Sequence, residues 1–546
     1  MRGKTGRGGS GGCGSAVRLA GPVPGALAHR YAALPPPLEV ALAALRLEAL
    51  LGDPRDAANP YGLPALAAAT AGSAASAGSA SAGSAGSAGS AGEGRAGRVV
   101  PLLAAAGLGQ VRAADQRVRA LRPLLRRDLA LGHAAGMSGG SGTPPAARAR
   151  GQVAESSPVP AVLLGPAALV AAAGSVLRHA ALTVAGRGGG EPALRQWQPV
   201  LAAAFADLLA CESLTCVALR RPAGPGAGAG AGLLGAVAGY VVPTVLADVL
   251  AQLGLVLAEC GHGPAGTGGR MLAKLTRDLP LAGVDAAGAA HWQDRLARAL
   301  PALAAEEPRA PHRGPAPALF RLADPPAPTP AAVGEQGEGY IPDGHEPGRC
   351  APDGHEPDGD EPGGDEPGGD EPGGDEPGGD EPGGDEPGGD ESGGDESGGD
   401  GPGGDSVVLS GLLRAGAVRA DGADADCAAL GAVARRLLTE QRALRRPCRT
   451  AGADPGAPAA RALADRQALL WLAAAVLGVR EAADEGRGLF LGGTHWVLLA
   501  LSGIAGRLGV PLPGPVPDPR APVWAELAGR VRHGVDCDVY ATRLLW

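Results

Sequence analysis

The chain has 546 residues and a formal charge of −9. Of its 57 acidic residues, 23 lie between Asp343 and Asp405. The rest of the chain carries 47 basic residues and 34 acidic ones. This excess of arginine is scattered and forms no basic stripe interleaved with aromatic residues, so composition argues against nucleic-acid binding. Gly and Pro together make up about a quarter of the residues, close to the level typical of low-complexity sequence, and much of the length is therefore predicted to be linker.

The first predicted folded segment is an N-terminal helical domain over residues 36–136. Apolar residues recur at helical spacing in Pro36–Leu51 and again in Val111–Leu131, the pattern of amphipathic helices. Residues 1–35 are predicted to be disordered. The Ala/Gly/Ser run at 70–97 has the composition of a flexible linker and is predicted to be an insert in this domain.

The segment 158–305 is predicted to form a helical bundle. Helical periodicity continues through three stretches, Leu194–Arg220, Tyr240–Cys260 and His291–Ala305. Pro158–Leu177 and Gly232–Ala247 are the most apolar stretches, but the first contains three prolines and an aspartate follows the second. Both are predicted to be buried bundle helices rather than membrane spans, since a span needs about 20 apolar residues.

Residues 306–405 are predicted to be a disordered linker, Pro-rich at first and then built of GGDEP repeats. Such acidic repeats bury too little apolar surface to offset the entropy of ordering. GGDE resembles the signature of diguanylate cyclases, but proline stands where that signature has phenylalanine. Calcium-binding Gly/Asp repeats have a different period and an apolar anchor residue that is missing here. The repeat is therefore predicted to be a solvated spacer.

The segment 406–546 is predicted to be an appended helical domain. Its helical periodicity runs through Val407–Arg446, Ala460–Arg480 and Leu489–Leu508. No segment shows period-two alternation over several strands, so the fold class is predicted to be mainly α. The eight cysteines form no C-x-x-C pair and no zinc-spaced set, and no apolar run follows the basic residues at the start of the chain. These features predict reduced thiols and a cytoplasmic location.

Several motifs, in order, resemble actinobacterial acyl-CoA dehydrogenase-like proteins. Leu51–Asp56 (LGDPRD) with Ala58–Pro60 is similar to the entry of their N-terminal helical domain, and Leu121–Gly132 resembles the helix that closes it. Similarity resumes in their C-terminal four-helix bundle and tail, at Leu201–Glu212, Tyr240–Pro243, Lys274–Leu281 and Asp536–Tyr540. The family's middle β-domain has no counterpart, because a Gly/Ser/Pro-rich linker at 137–157 stands in its place.

The resemblance implies FAD-dependent oxidation of an acyl-CoA or acyl-carrier thioester. In the family, a glutamate takes the α proton while the β hydrogen leaves as hydride to the flavin. Asp285, which follows the Arg277-Asp278 pair, is the carboxylate nearest to that position. Gly186 and Arg187 match the end of the helix whose arginine contacts the FAD diphosphate in the family.

Two functions compete at this point. One is a working FAD-dependent dehydrogenase with a reduced site. The other is a non-catalytic helical assembly or scaffold protein that pairs with an intact paralogue. This second function is favoured because three family features are missing: the β-domain, the arginines that precede the glycine at the matching helix end, and the glutamate near whose position Asp285 stands. Either reading predicts a homo- or hetero-oligomer through the 158–305 bundle, because helices of this type bury apolar stripes against one another, and neither predicts nucleic-acid or membrane partners.

Overall fold

A computed structural model describes residues 36–66, 68, 98–111, 113–137, 159–187, 192–221, 232–261, 266–305, 316–322, 406–417, 425–451, 454–485, 490–514 and 517–546. The expectations for 1–35, 70–97 and nearly all of 137–157 and 306–405 lie outside these residues. The chain divides into two units, 1–327 with 400–546 and 328–399. The second unit also lies outside the described residues, and everything below concerns the first.

The described residues are helical, which confirms the prediction of a mainly α fold. The first helices are α1 (Pro36–Leu51), α2 (Ala114–Arg127), α3 (Leu129–Met137), α4 (Ala161–Arg187), α5 (Pro192–Arg195), α6 (Gln198–Leu219) and α7 (Gly232–Glu259). They are followed by α8 (Thr267–Asp278), α9 (Ala286–Ala305), α10 (Ser406–Ala417), α11 (Ala425–Ala451), α12 (Pro458–Glu485), α13 (Thr494–Leu508) and α14 (Arg520–Arg532). Short 3-10 turns lie at Leu108–Gln110, Leu279–Ala282, Ala318–Phe320 and Phe490–Gly492. β pairing within these residues is limited to one isolated bridge between Val535 and Arg543.

Helix α6 lies at the centre of the fold. It is apolar on every side apart from its two charged residues, Asp207 and Glu212, and every residue from Leu208 to Leu219 is buried; a helix of this composition is stable only when neighbours surround it. It packs against α4 and α7 on one side and against α12, α13 and α14 on the other. The ring of Phe205 stacks on that of Phe490, with centroids 5.9 Å apart. Residues on both sides of the acidic tract therefore share one core, and the domain boundaries drawn above stay predictions.

Within the described residues, four helical stretches are long and apolar enough to cross a membrane when length and composition alone are considered: Ala161–Gly186, Ala193–Leu219, Gly232–Glu259 and Pro458–Asp484. In three of them most of the apolar window is buried inside the protein. In α7 only 50% of it is buried. The exposed face of that helix carries Leu255 and three alanines beside Asp248, Gln252 and Glu259.

Candidate functional site

The turn after α1 is built by the LGDPRD and ANP motifs. Gly52 ends the helix in the left-handed region, at φ 70°, which glycine adopts without steric penalty. The Asn59 side-chain amide donates to the carbonyls of Leu51 at 2.7 Å and of Asp53 at 2.8 Å. Gly62 is required where the turn closes, because a Cβ there would lie 2.3 Å from the Asp56 carbonyl oxygen. The motif therefore fixes the path of the chain between α1 and residue 64.

Helix α2 extends Arg127 into the base of this turn. Its guanidinium donates to the carbonyl of Leu51 at 3.0 Å and to that of Gly52 at 2.6 Å. These are carbonyls at the end of α1, which have no partner within the helix. Burial lowers the pKa of Arg127 to about 10, because a cation held by neutral carbonyls regains only part of its lost hydration.

A cavity of about 780 Å³ opens beside this turn. The turn, α1, α2, α4, α8 and the last residues of the chain form its walls. Its cationic side chains are Arg55, Arg126, Arg127, Arg178, Arg270 and Lys274. Among the described lining residues, Glu48 is the one carboxylate that faces them. We call this cavity the cationic pocket.

Two of the six cations already have carboxylate partners. Arg126 donates to Asp536 at 2.7 Å and to Glu48 at 3.1 Å. Lys274 contacts Asp278 and lies 3.1 Å from Asp128. The charges of these two side chains are therefore largely balanced within the protein.

The other four cations, Arg55, Arg127, Arg178 and Arg270, form no ion pair with a carboxylate among the described residues. The Arg178 Nε atom is buried and has no hydrogen-bond partner among the described residues, and burial lowers the pKa of this side chain. Arg55 and Arg270 are exposed at the cavity. A buried guanidinium without a full set of acceptors is unfavourable unless something else supplies them. The arrangement suits an anion, which arginine binds with two parallel hydrogen bonds.

The start of α8 adds backbone donors to the same cavity. Its first residue, Thr267, lines the pocket, and Gly266 before it provides no side-chain cap. The amides of a first helical turn lack partners within the helix and carry a partial positive charge. Gly268 allows α8 to approach α4, since a Cβ there would lie 2.4 Å from Cδ2 of His179. Helix starts of this kind are favourable places for phosphate and carboxylate groups.

A recess of about 20 Å³ lies at the inner end of the pocket. Its apolar lining is Leu63, Leu129, Ala172, Val176, Met271 and Leu275. Lys274 lies at the junction, where it lines both cavities, and Asp278 lines the recess. Burial raises the pKa of Asp278, against the effect of Lys274. A space of this size holds about one water molecule.

A buried ionic network lies behind the pocket. Arg122 contacts Glu212, donates to Asp536 at 2.9 Å, and lies 3.6 Å from Asp538. Burial raises the pKa of Glu212 to about 7. The pKa of Asp536 lies well below its usual range, because Arg126 and Arg122 outweigh the effect of its burial. Buried charges persist when they are paired in this way.

The residues singled out by the family resemblance lie elsewhere. Asp285 is exposed, and its carboxylate accepts from the Gly288 amide at 2.7 Å, the position of a cap at the start of α9. Gly186 is exposed near the end of α4. Arg187 is the last residue of that helix, and its side chain lies outside the described residues. The cationic pocket includes none of these three residues.

Sequence reasoning did not identify the pocket. The sequence feature that indicates the pocket is the presence of single cationic residues within helices that are otherwise partly apolar: Arg178 in α4 and Lys274 in α8. The motifs at Leu121–Gly132 and Asp536–Tyr540 were noticed for their resemblance alone. The structure brings Arg122 and Arg126 of the first motif against Asp536 of the second. Comparison of the chain with protein-family models, with curated proteins and with solved structures found no match.

Proposed function

We propose that this protein binds a phosphate-bearing acyl thioester, an acyl-CoA or an acyl group on a carrier, in the cationic pocket without oxidising it. The observation that carries the proposal is that four of the six cationic side chains around a cavity of about 780 Å³ have no carboxylate ion-pair partner among the described residues: Arg55, Arg127, Arg178 and Arg270. Ligand pockets of small molecules have volumes of roughly 300–1,000 Å³. The thioester is suggested by the resemblance to acyl-CoA dehydrogenases.

Phosphate groups match the charge of the pocket. The Nε atom of Arg178 has no hydrogen-bond partner among the described residues, and the first turn of α8 has no side-chain cap. Arg127 adds a buried positive charge whose bonded partners are neutral carbonyls. Guanidinium groups and helix starts both favour phosphate oxygens, so the ligand's phosphates would take this side of the cavity.

Binding without oxidation is favoured because the residues that match the family's catalytic and flavin-binding positions are not among the described residues that line the cationic pocket. Asp285 caps α9, is exposed and does not line the pocket. A base for the α proton must lie within hydrogen-bond distance of the ligand. Gly186 and Arg187, the flavin positions that the resemblance indicates, also lie outside the described lining of the cationic pocket. Gly186 is exposed. FAD binding there remains a prediction, and we derive no chemical step from it.

Titration calorimetry tests this function directly. Coenzyme A and acetyl-CoA should bind the purified chain. Arg178→Gln should weaken that binding about tenfold or more, since a charge-assisted hydrogen bond contributes about 1.5–3 kcal/mol. Arg442→Gln, an exposed arginine on α11, is the matched control and should bind as the unmodified chain does. FAD added as a competitor distinguishes a site for coenzyme A from a site for FAD. Retention of FAD near one per chain with 450 nm absorbance, and no binding of coenzyme A, would overturn the proposal in favour of a flavoprotein.

A second function, assembly through the 158–305 bundle, is favoured by the uncovered face of α7. Leu255 on this helix is 62% exposed, and Ala247, Ala251 and Ala258 are exposed on the same stripe, beside Asp248, Gln252 and Glu259. Small side chains let a second helix approach closely, and the apolar area removed from water would stabilise the contact. We propose that a second copy of the chain covers this face.

Light scattering after size exclusion measures the mass of the particle. The chain of 53.5 kDa should elute as a dimer or larger, and Leu255→Asp should shift it to the monomer mass. Leu281→Asp is the control, because Leu281 is 65% exposed but lies outside α7. A monomer at all concentrations would refute assembly and leave ligand binding unaffected.

A further inference from the structure

The segment 534–546 folds back on itself after α14. The Asp536 amide donates to the Thr542 carbonyl at 2.8 Å, and the Leu544 amide donates to the Gly534 carbonyl at 2.8 Å. Ala541 takes a left-handed conformation at φ 48° where the chain reverses. A non-glycine residue in this region stores strain that its surroundings must offset.

Interactions between the segment and the helices offset the strain at Ala541. Asp536 and Asp538 are fully buried. The Val539 amide donates to Glu212 of α6 at 3.0 Å, and Arg530 of α14 donates to the Asp538 carbonyl at 2.6 Å. The segment is thus attached to the helical core through charged and backbone groups.

The same segment forms one wall of the cationic pocket. Leu544 and Trp546 line the cavity, and Trp546 remains 40% exposed there. The Leu545 amide donates to Glu48 at 3.3 Å. Glu48 also accepts from Arg126, and Arg126 donates to Asp536. Glu48 and Arg126 therefore belong both to the pocket and to the attachment of the segment.

We infer that ligand binding in the cationic pocket and docking of the segment 534–546 are coupled, each stabilising the other. This inference rests on the proposed function. Both terminal nitrogens of Arg126 already bond carboxylates, so a ligand that uses Arg178 does not have to break the attachment. A ligand gains contact with Leu544 and Trp546 only while the segment is docked. Ligand binding and docking of the segment are therefore thermodynamically linked. The free energy by which the ligand stabilises docking equals the free energy by which docking stabilises ligand binding.

Hydrogen exchange read by mass spectrometry tests one direction of the coupling. Saturating coenzyme A should slow exchange in peptides that contain the Val539, Leu544 and Leu545 amides by about fivefold or more, the low end of typical coupling between sites. Peptides of α11, remote from the pocket, are the internal reference and should not change.

Thr542→Val tests the reverse direction from outside the pocket. Its hydroxyl donates to Asp538 at 2.6 Å within the segment, and it does not line the cavity. Loss of this bond should loosen docking and raise the Kd for coenzyme A about fivefold or more. Thr439→Val, whose hydroxyl bonds a carbonyl on the exposed face of α11, should leave the Kd unchanged.

The outcomes separate the two proposals. Slower exchange together with weaker binding in Thr542→Val supports the coupling. Coenzyme A that binds while exchange in the segment is unchanged, or while Thr542→Val keeps the original Kd, overturns the coupling and leaves the proposed function standing. Absence of any binding overturns both.

Discussion

The guanidinium of Arg126 donates to the carboxylate of Asp536 at 2.7 Å across 410 positions of sequence. Arg126 lies on α2 near the start of the described chain, and Asp536 lies in its last described segment. The same guanidinium faces the cationic pocket. One ion pair therefore joins α2 to the segment that contains Asp536, beside the cavity where we propose that a ligand binds.

Removing Arg122 should strongly destabilise the protein. Arg122→Met leaves Glu212, Asp536 and Asp538 buried with one fewer cation. Breaking a buried pair by removing one partner costs about 3–5 kcal/mol. Urea unfolding followed by circular dichroism measures the change. Arg442→Met, an exposed residue on α11, should shift the free energy of unfolding by less than about 0.5 kcal/mol; equal effects of the two variants would contradict the role of the network.

Stability should fall as pH rises from about 4.5 to about 7, in proportion to the ionisation of Glu212. Its pKa in the folded protein is raised by burial to about 7 from 4.5. Between these values the folded state retains a proton that the unfolded chain has lost, so the free energy of unfolding decreases with pH. Each unit of pKa shift corresponds to about 1.4 kcal/mol.

Glu212→Gln checks this pH dependence. The variant lacks the titrating group, so its free energy of unfolding should fall less over the same pH range. Glu440→Gln, in a partly exposed pair with Arg466, should keep the slope of the unmodified protein. An unchanged slope in Glu212→Gln would show that other groups cause the dependence. Asp536 acts in the opposite sense: its lowered pKa adds stability that is lost as pH falls below about 4.

Two glycine substitutions should have opposite effects. Gly62→Ala places a Cβ 2.3 Å from the Asp56 carbonyl oxygen, a backbone atom of the turn that shapes the pocket. The turn must shift, and we expect a loss of about 1–3 kcal/mol, the usual cost of overpacking. Gly529→Ala lies inside α14, where no atom stands within 4 Å of the new Cβ, and should stabilise by about 0.5–1 kcal/mol. Melting temperatures of the two variants compare them directly.

Ligand binding should weaken as salt is added. The pocket carries more cationic than anionic side chains, and Arg55 and Arg270 are exposed to solvent ions. Exposed charges are screened within about 10 Å at 0.1 M salt. The Kd for coenzyme A should therefore rise steadily between 20 mM and 500 mM NaCl, and the rise should be smaller in Arg270→Gln. A Kd independent of salt would mean that apolar contacts dominate binding.

The sequence by itself determined the helical class of this protein and much of its local structure. Apolar residues at helical spacing in Val111–Leu131 and Leu194–Arg220 predicted α2 and α6, because that pattern depends on neighbours three and four positions apart. The turn motif at Leu51–Pro60, which the family resemblance indicated, is also local, since Gly52 and Asn59 act within a few residues of each other.

Only the tertiary structure decided which charged residues meet. Asp285 was the candidate that the family order of motifs suggested, and in the structure it caps the helix that directly follows it. Arg126, Arg178 and Lys274 come from three different helices, and no local pattern links them to one another or to Asp536. Their position around one cavity follows from the packing of α2, α4 and α8 and the return of the chain at Gly534, which are contacts between residues distant in sequence. Those contacts depend on the shape of the whole core rather than on any short motif.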